Sequence, residues 1–237
     1  RARMSALMAA VSIERECGIE TIPHLLPRDT TVMGLESMLL GAHAEGVRNI
    51  LAVPGDPPHI GDYPGSRGVY EVDAIGLVQV IERMNRGEDY AGKAIEAPTS
   101  FYTGVAVNPS ADDLNAELRR FEQKIAAGAQ FAMTQALFDL SYLDDFLARL
   151  GGRSPIPLLV GIWPLRSHQT AVRLHNEVPG IVVPEAVQER MRAAGADAIE
   201  AGLELARALV AEAREKAAGI YIIPPFKQPE AALDLLS

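Results

Sequence analysis

Short apolar runs alternate with helical repeats along almost the whole chain. The runs predict six strands of a parallel sheet covered by helices, because they hold few polar positions and are too short for helices. They cover residues 19–26, 50–54, 100–108, 131–138, 157–164 and 219–223. Between them, apolar residues at helical spacing predict amphipathic helices. These cover residues 4–16, 31–46, 72–86, 111–127, 142–150, 167–176 and 197–217, with short helices from Pro184 and near the C-terminal end.

Strands that alternate with helices in this way are typical of βα units, so the pattern predicts an α/β fold in one domain spanning residues 1–237. A closed parallel barrel requires eight strands, and two are missing from the predicted set. Since the chain opens on a helix, we expect the two missing βα units to precede Arg1 and the domain to be N-terminally incomplete.

Polar residues at helix starts predict caps. Thr31 is expected to cap the second helix, and Ser110 with Asp113 resembles a capping box for the helix over 111–127. In the last long helix, Ile199 is one of the apolar residues expected to face inward.

The run 50–54 ends in a pattern that is typical of a functional site. Gly55 ends the strand and Asp56 follows at its carboxyl end. Pro57 and Pro58 lack the backbone N–H, so the chain has to leave the sheet as a loop directly after the carboxylate. Parallel α/β proteins build their sites at such strand ends, although a turn Asp that caps its own loop fits this short pattern equally well.

Composition narrows the class of protein. No apolar run approaches the roughly 18 to 20 residues of a membrane span, so we expect a soluble protein. The formal net charge of -9 repels nucleic acid and anionic membranes. Cys17 is the only cysteine, which excludes an internal disulfide and a Cys-rich metal site and fits a reduced, cytoplasmic setting. His43, His59 and His175 lack metal-ligand spacing and are given no role.

The strand ends, taken in order, carry a family pattern. The motifs are Pro23-His24-Leu25, Gly55-Asp56-Pro57-Pro58, Val105-Ala106-Val107-Asn108-Pro109, the run 124–129 leading into Thr134-Gln135, and Phe138-Asp139. In this order they resemble the flavin-dependent methylenetetrahydrofolate reductase family. Further phrases are similar to the branch in which this reductase is fused behind a homocysteine methyltransferase domain. They are residues 48–53, Gly61-Asp62-Tyr63-Pro64, Val69-Tyr70 with Asp73, and Gly219-Ile220-Tyr221 with Pro224-Pro225-Phe226.

The resemblance implies a (β/α)8 barrel with FAD across the carboxyl ends of its strands. It implies reduction of 5,10-methylenetetrahydrofolate to 5-methyltetrahydrofolate, with NADH or NADPH as hydride donor, in one-carbon and methionine metabolism. The protein's task in such a reaction is to position and tune a cofactor that does the chemistry. We also expect a homo-oligomer, and the net charge predicts no nucleic-acid or membrane partner.

The resemblance assigns roles to residues of this chain. Asp56 matches a catalytic aspartate beside the flavin and the pterin, and Gln135 matches a glutamine that contacts the pterin. Lys124 matches a lysine that meets the FAD phosphates, and Arg120 lies one helical turn earlier. Without the resemblance, this helix face would be an ordinary solvated one. The other matched cofactor-binding positions are His24, Gly55, Tyr70, Ala106 and Asn108.

Two departures from the family pattern matter. The family's catalytic acid is a glutamate on the first barrel strand, and no residue of this chain matches that strand. Ala136 is smaller than the residue that relatives often carry after Thr-Gln, which would loosen the substrate pocket.

On the folate side, Arg166, Ser167 and His168 follow the fifth strand and are expected to line the site.

Two alternatives stay open. A non-catalytic folate- or flavin-binding barrel subunit could keep the pocket without the acid. A barrel lyase or aldolase would require a Schiff-base lysine at a strand end, and no predicted strand end carries one.

Overall fold

The structure, a computed structural model, describes residues 3–225 and 229–235, and residues are grouped into two compact units. The first unit comprises the residues up to Ala106 together with Phe121–Phe131. The second comprises Val107–Arg120 together with the residues from Ala132 onward. Phe226, part of one family motif, lies outside the described residues.

Within the described residues, six parallel strands form a sheet in chain order. They are β1 His24–Leu25, β2 Asn49–Ala52, β3 Tyr102–Val107, β4 Phe131–Ala136, β5 Leu158–Ile162 and β6 Gly219–Ile222. The helices are α1 Ala6–Cys17, α2 Val32–Ala44, α3 Ala74–Asn85, α4 Leu114–Ala126, α5 Ser141–Arg149, α6 His168–Glu177, α7 Glu185–Ala194 and α8 Ala198–Lys216. Short 3-10 helices cover Pro27–Asp29, Pro58–Ile60, Gly195–Asp197 and Pro229–Leu235. The alternation confirms the predicted α/β class and is consistent with a (β/α)8 barrel.

The first unit contains β1, β2, most of β3 and the helices α1 to α3. In the register, His24 pairs with Leu51 and Ile50 pairs with Thr103. Thr31 caps α2 as predicted, since its side chain accepts the Gly34 N–H. The fully buried side chains include Leu35, Leu39, Ile50, Leu77 and Ile81. Their burial fixes the carboxyl ends of β1 and β2, where the predicted site residues begin.

The second unit contains β4, β5 and β6 and a core beside them. Leu159 pairs with Met133 on one side and with Gly219 on the other. The buried core residues come from β4, the segments after β4 and β5, and α6 to α8. They are Ala136, Phe138, Leu165, Ala171, Leu174, Ile181, Val183, Met191 and Ala198.

Two predicted elements have different bounds in the structure, and one residue predicted to face inward is exposed. The first strand has two residues instead of eight: Ile19 is 63% exposed, and the Thr21 N–H bonds the Glu14 carboxylate instead of a strand. The fourth helix starts at Leu114, because Asp113 accepts the Ala116 N–H and is itself the cap. Ile199, expected inward, is 48% exposed. None of the described helices is long and apolar enough to cross a membrane.

Candidate active site

Asp56 lies in the loop that leaves the carboxyl end of β2. Gly55 adopts a positive φ of 78°, which redirects the chain directly before the carboxylate. A Cβ at Gly55 would stand 3.3 Å from the Leu26 Cβ, so the turn packs closely against the segment after β1. The Asp56 side chain itself is exposed. The structure therefore places the predicted catalytic carboxylate at an accessible strand end.

An arginine that sequence reasoning missed holds this turn. Arg28 donates from Nη1 to the main-chain oxygen of Asp56 at 2.7 Å, and forms an ion pair with Asp29 at 2.6 Å. The hydrogen bond with Asp29 raises the pKa of Arg28, and the same contact lowers the pKa of Asp29. Arg28 follows His24 by four residues, so its place at the same strand end was the signal available in the sequence.

A cavity of about 330 Å³ lies beside Asp56 in the first unit. Its lining includes charged and polar side chains of both signs, namely Arg28, Asp29, Asp56, Tyr63 and Arg67. Because both charge signs are present, the lining can bind a ligand that carries donors as well as acceptors.

His24 begins β1, and its side chain reaches the surface. Partial burial nevertheless lowers the pKa of its imidazole below the ordinary value. At neutral pH the ring is therefore uncharged, with one nitrogen as donor and the other as acceptor. His24 can bind a neutral polar edge without adding positive charge.

Tyr70 is the one described non-glycine residue with a positive φ, at 46°. This region is costly for a residue with a large side chain, and such strain persists only where the surroundings hold it. The Tyr70 ring packs against Gly68, where any Cβ would overlap it. The predicted cofactor-binding tyrosine is thus held in one defined backbone conformation.

Lys124 is buried, with 8% of its surface exposed. Its Nζ donates to the main-chain oxygen of Ala106 at 2.6 Å, at the carboxyl end of β3. The structure therefore brings two predicted cofactor-binding residues into contact. It also excludes the ordinary solvated face for Lys124, since a buried ammonium is retained only where it has partners. Arg120, by contrast, is exposed.

In the second unit, Gln135 lies in a β-bulge. Met133 pairs with Leu159 and Ala136 with Gly161, so Thr134 and Gln135 together oppose the single residue Val160. Bulges reorient side chains and are frequent near active sites. The Gln135 side chain is half-buried, and no hydrogen bond joins its amide to another of the described residues.

The bulge is held by a network that the sequence motifs only hinted at. The Thr134 hydroxyl accepts the Gly161 N–H at 3.0 Å and donates to the Gln135 main-chain oxygen at 2.7 Å. The Tyr221 hydroxyl donates to the Thr134 main-chain oxygen at 2.6 Å. Burial raises the pKa of Tyr221 to about 12, so the phenol stays protonated and can donate at neutral pH. A glycine inside a strand, Gly161, was the available signal.

Asn108 and the residues after β5 take structural partners. The Asn108 amide donates to Gly180 O at 3.1 Å, and its Oδ1 accepts the Ser110 hydroxyl at 2.8 Å. Ser167 caps α6 through the Thr170 N–H. Arg166 and His168 are half-buried, while Ala136 is buried in the core of the second unit. Roles for Asn108, Arg166, Ser167 and His168 in ligand binding stay predictions.

Comparison with known proteins decides the family. The methylenetetrahydrofolate reductase family model matches residues 1–222. The chain belongs to this family. Within the part that the structure describes, no cluster of three or more His, Cys, Asp or Glu side chains could hold a metal ion.

Several curated reductases are similar to this member of the family. Methylenetetrahydrofolate reductase 1 of Schizosaccharomyces pombe is 27% identical over 73% of this chain and 27% of its own length. A probable methylenetetrahydrofolate reductase (NADH) of Oryza sativa is 27% identical over 81% of this chain and 34% of its own length. The 5,10-methylenetetrahydrofolate reductase of Escherichia coli is 29% identical over 67% of this chain and 49% of its own length. The matches thus span about a quarter to half of these relatives.

Among solved structures, a 2,3-dimethylmalate lyase matches 98% of this chain and 62% of its own. The TM-score is 0.48 and the sequence identity 13%, a similarity too low to assign a fold or a function.

Proposed function

We propose that this chain takes part in the reduction of 5,10-methylenetetrahydrofolate to 5-methyltetrahydrofolate, with FAD as cofactor and NADH or NADPH as donor. The observation that carries the proposal is the family match over residues 1–222. The position of Asp56 at the carboxyl end of β2 supports it, because parallel α/β proteins bind ligands at that edge. The name of the rice relative, which specifies NADH, agrees with a nicotinamide donor.

The residues of the first unit fit a flavin dinucleotide. Gly55, without a side chain and at positive φ, allows a planar ring to come close to the main chain. The buried Lys124 ammonium supplies a positive charge suited to a diphosphate. With them, we assign His24, Asp56, Tyr70 and Ala106 to cofactor binding. Asn108 and Arg120 of the second unit are assigned to the same role.

When bound, FAD supplies the hydride relay between the nicotinamide and the folate. The chain's own residues bind and orient the cofactor and the folate. The Asp56 carboxylate accepts hydrogen bonds from the amino edge of the pterin and opposes negative charge on the ring beside it. The Gln135 amide donates and accepts along the mixed edge of the pterin. The neutral His24 imidazole binds a polar ring edge without changing the local charge.

A second candidate is a folate- or flavin-binding subunit without catalysis. Such a subunit would keep Asp56 and Gln135 as binding groups and lack a proton donor for the folate.

One absorption experiment separates the two candidates. The purified protein loaded with FAD is expected to show flavin absorption, to bleach anaerobically with NADH or NADPH, and to recolour when 5,10-methylenetetrahydrofolate is added. Stable colour that neither nicotinamide bleaches, or bleaching that the folate does not reverse, would favour the binding subunit. Failure to retain or bind FAD at all would contradict the reductase and leave only a folate-binding subunit.

Replacing Lys124 with methionine is expected to weaken FAD binding about tenfold or more. Methionine keeps most of the buried volume but removes a charge-assisted donor, whose loss is worth about 1.5–3 kcal/mol. Titration of FAD fluorescence measures the change. Arg119→Met is the matched control, because Arg119 is an exposed cation on the same helix. Equal affinities in the two variants would argue against the role of Lys124.

A further inference from the structure

Arg28 connects two loops of the first unit that each carry a predicted cofactor-binding residue. Its Nη1 donates to the main-chain oxygen of Asp56 at 2.7 Å. Its own main-chain oxygen accepts the Val69 N–H at 2.7 Å, directly before Tyr70. A single residue therefore holds both the Asp56 turn and the start of the Tyr70 segment.

Asp29 fixes the direction of the Arg28 guanidinium. Arg28 Nε lies 2.6 Å from Asp29 Oδ1, and Nη2 lies 2.9 Å from Asp29 Oδ2. This two-bond contact between planar groups sets the plane of the guanidinium and directs Nη1 at Asp56. The Arg28 side chain is only 25% exposed. A lysine has one ammonium in place of this planar fork and cannot make the three bonds in the same geometry.

The Asp56 turn needs such an anchor because its main chain is poorly suited to regular hydrogen bonding. β2 ends at Ala52, four residues earlier. Pro57 and Pro58 have no N–H to donate, and Gly55 is the most permissive residue for backbone rotation. Side-chain contacts therefore have to restrict the position of the carboxylate.

We propose that Arg28, oriented by Asp29, is a positioning residue that sets the place of the Asp56 carboxylate and of Tyr70. We call these four contacts, to both Asp29 carboxylate oxygens, Asp56 O and the Val69 N–H, the Arg28 clamp. The inference rests on the proposed function, in which Asp56 and Tyr70 contact the cofactor. Misplacement of a reacting group by about 1 Å is enough to cost a large factor in rate.

Hydrogen exchange tests the clamp on the intact chain without cofactor. Arg28→Lys keeps the main-chain oxygen that accepts the Val69 N–H but loses the side-chain bonds that hold residue 28 against Asp29 and Asp56. The segment around residue 28 is therefore expected to open more often, so that the Val69 amide exchanges about tenfold faster while amides of β2 keep their rates. Arg86→Lys is the matched control, since Arg86 makes a similar two-bond contact with Glu82 on α3. An unchanged Val69 rate in Arg28→Lys would overturn the clamp. Faster exchange of Val69 and β2 together would show a loss of general stability and overturn the positioning role.

A double-mutant cycle tests the functional consequence on the FAD-loaded protein. Arg28→Lys is expected to lower kcat for folate reduction about tenfold with a smaller change in KM. In the Asp56→Asn background the same change is expected to cost clearly less than tenfold, because the carboxylate it positions is gone and only the effect through Tyr70 remains. Multiplicative losses in the two backgrounds would overturn the proposal.

Asp29→Asn refines the cycle. It keeps the bond from Arg28 to Asp56 but weakens the orienting pair, so a loss in kcat smaller than that of Arg28→Lys is expected. A larger loss in kcat for Asp29→Asn than for Arg28→Lys would contradict the proposal that Arg28 makes the direct contact with Asp56 and that Asp29 acts through Arg28. If the unaltered protein reduces no folate, the proposed function fails, and the exchange rates still decide whether the clamp exists.

Discussion

Asp56→Asn is expected to slow the reduction of 5,10-methylenetetrahydrofolate about a hundredfold, the size of effect seen when one preorganised electrostatic group is removed. Asparagine has nearly the same shape but carries no charge, and its amide nitrogen donates where the carboxylate accepts. Stopped-flow absorption measures the step directly, as the rate at which methylenetetrahydrofolate recolours the bleached protein. The rate of bleaching by NADH, recorded separately, is expected to change much less, because the folate does not take part in it.

The matched control is Asp62→Asn. Asp62 lines the same cavity of about 330 Å³ and carries the same charge, but it lies in the loop beyond the two prolines. We expect its loss to change the folate rate less than threefold. Similar losses in the two variants would show that only the total charge of the cavity matters, and the specific role of Asp56 would be wrong.

Gly202→Ala is expected to destabilise the second unit by about 2 kcal/mol or more. A Cβ at Gly202, within α8, would overlap the main-chain oxygen of Leu165. The overlap is with main chain, which cannot rotate away, so its cost is expected at the upper end of the range for overpacking, about 3 kcal/mol or more. Alanine gains about 1 kcal/mol of helix propensity over glycine, so the overlap decides the sign. A fall in Tm of roughly 4–8 °C follows for a chain of this size, measured by circular dichroism.

Gly41→Ala makes the same chemical change in α2, where nothing lies within 4 Å of the added Cβ. Only the propensity remains there, so Tm is expected to stay constant or rise slightly. If Gly41→Ala lowered Tm as much as Gly202→Ala, the contact with Leu165 would not be the cause.

The sequence predicted the helices and strands well where the signal is local. Thr31 caps α2 and the run at β2 is a buried strand, because both depend on neighbours within four residues. The length of the first strand depended on a distant contact, the bond from Thr21 to Glu14, which no local pattern encodes. The cap of α4 was misplaced because Ser110 and Asp113 are both good capping residues, and the Ser110 hydroxyl bonds Asn108 instead.

The candidate site shows the same division. The positions of Asp56 beyond β2 and of Gln135 near the end of β4 followed from the motifs, whereas His24 begins the two-residue β1 instead of lying near the end of a longer strand. The partners of these residues did not follow from the motifs. Lys124 looks like a surface lysine in the helical pattern, and its burial arises from Ala106, 18 positions away in the chain. The Arg28 contact with Asp56 spans 28 positions and likewise depends on the fold.

The Thr134 hydroxyl accepts the Gly161 N–H, a hydrogen bond that a main-chain oxygen would accept in a regular pairing of β4 and β5. This restricts mutational tolerance at position 134 in an unusual way. Valine has the shape of threonine, yet it would leave the buried Gly161 N–H without an acceptor. The smaller serine keeps the hydroxyl that accepts this bond. Among natural variants of this chain, hydroxyl chemistry rather than side-chain volume should therefore govern which residues position 134 accepts.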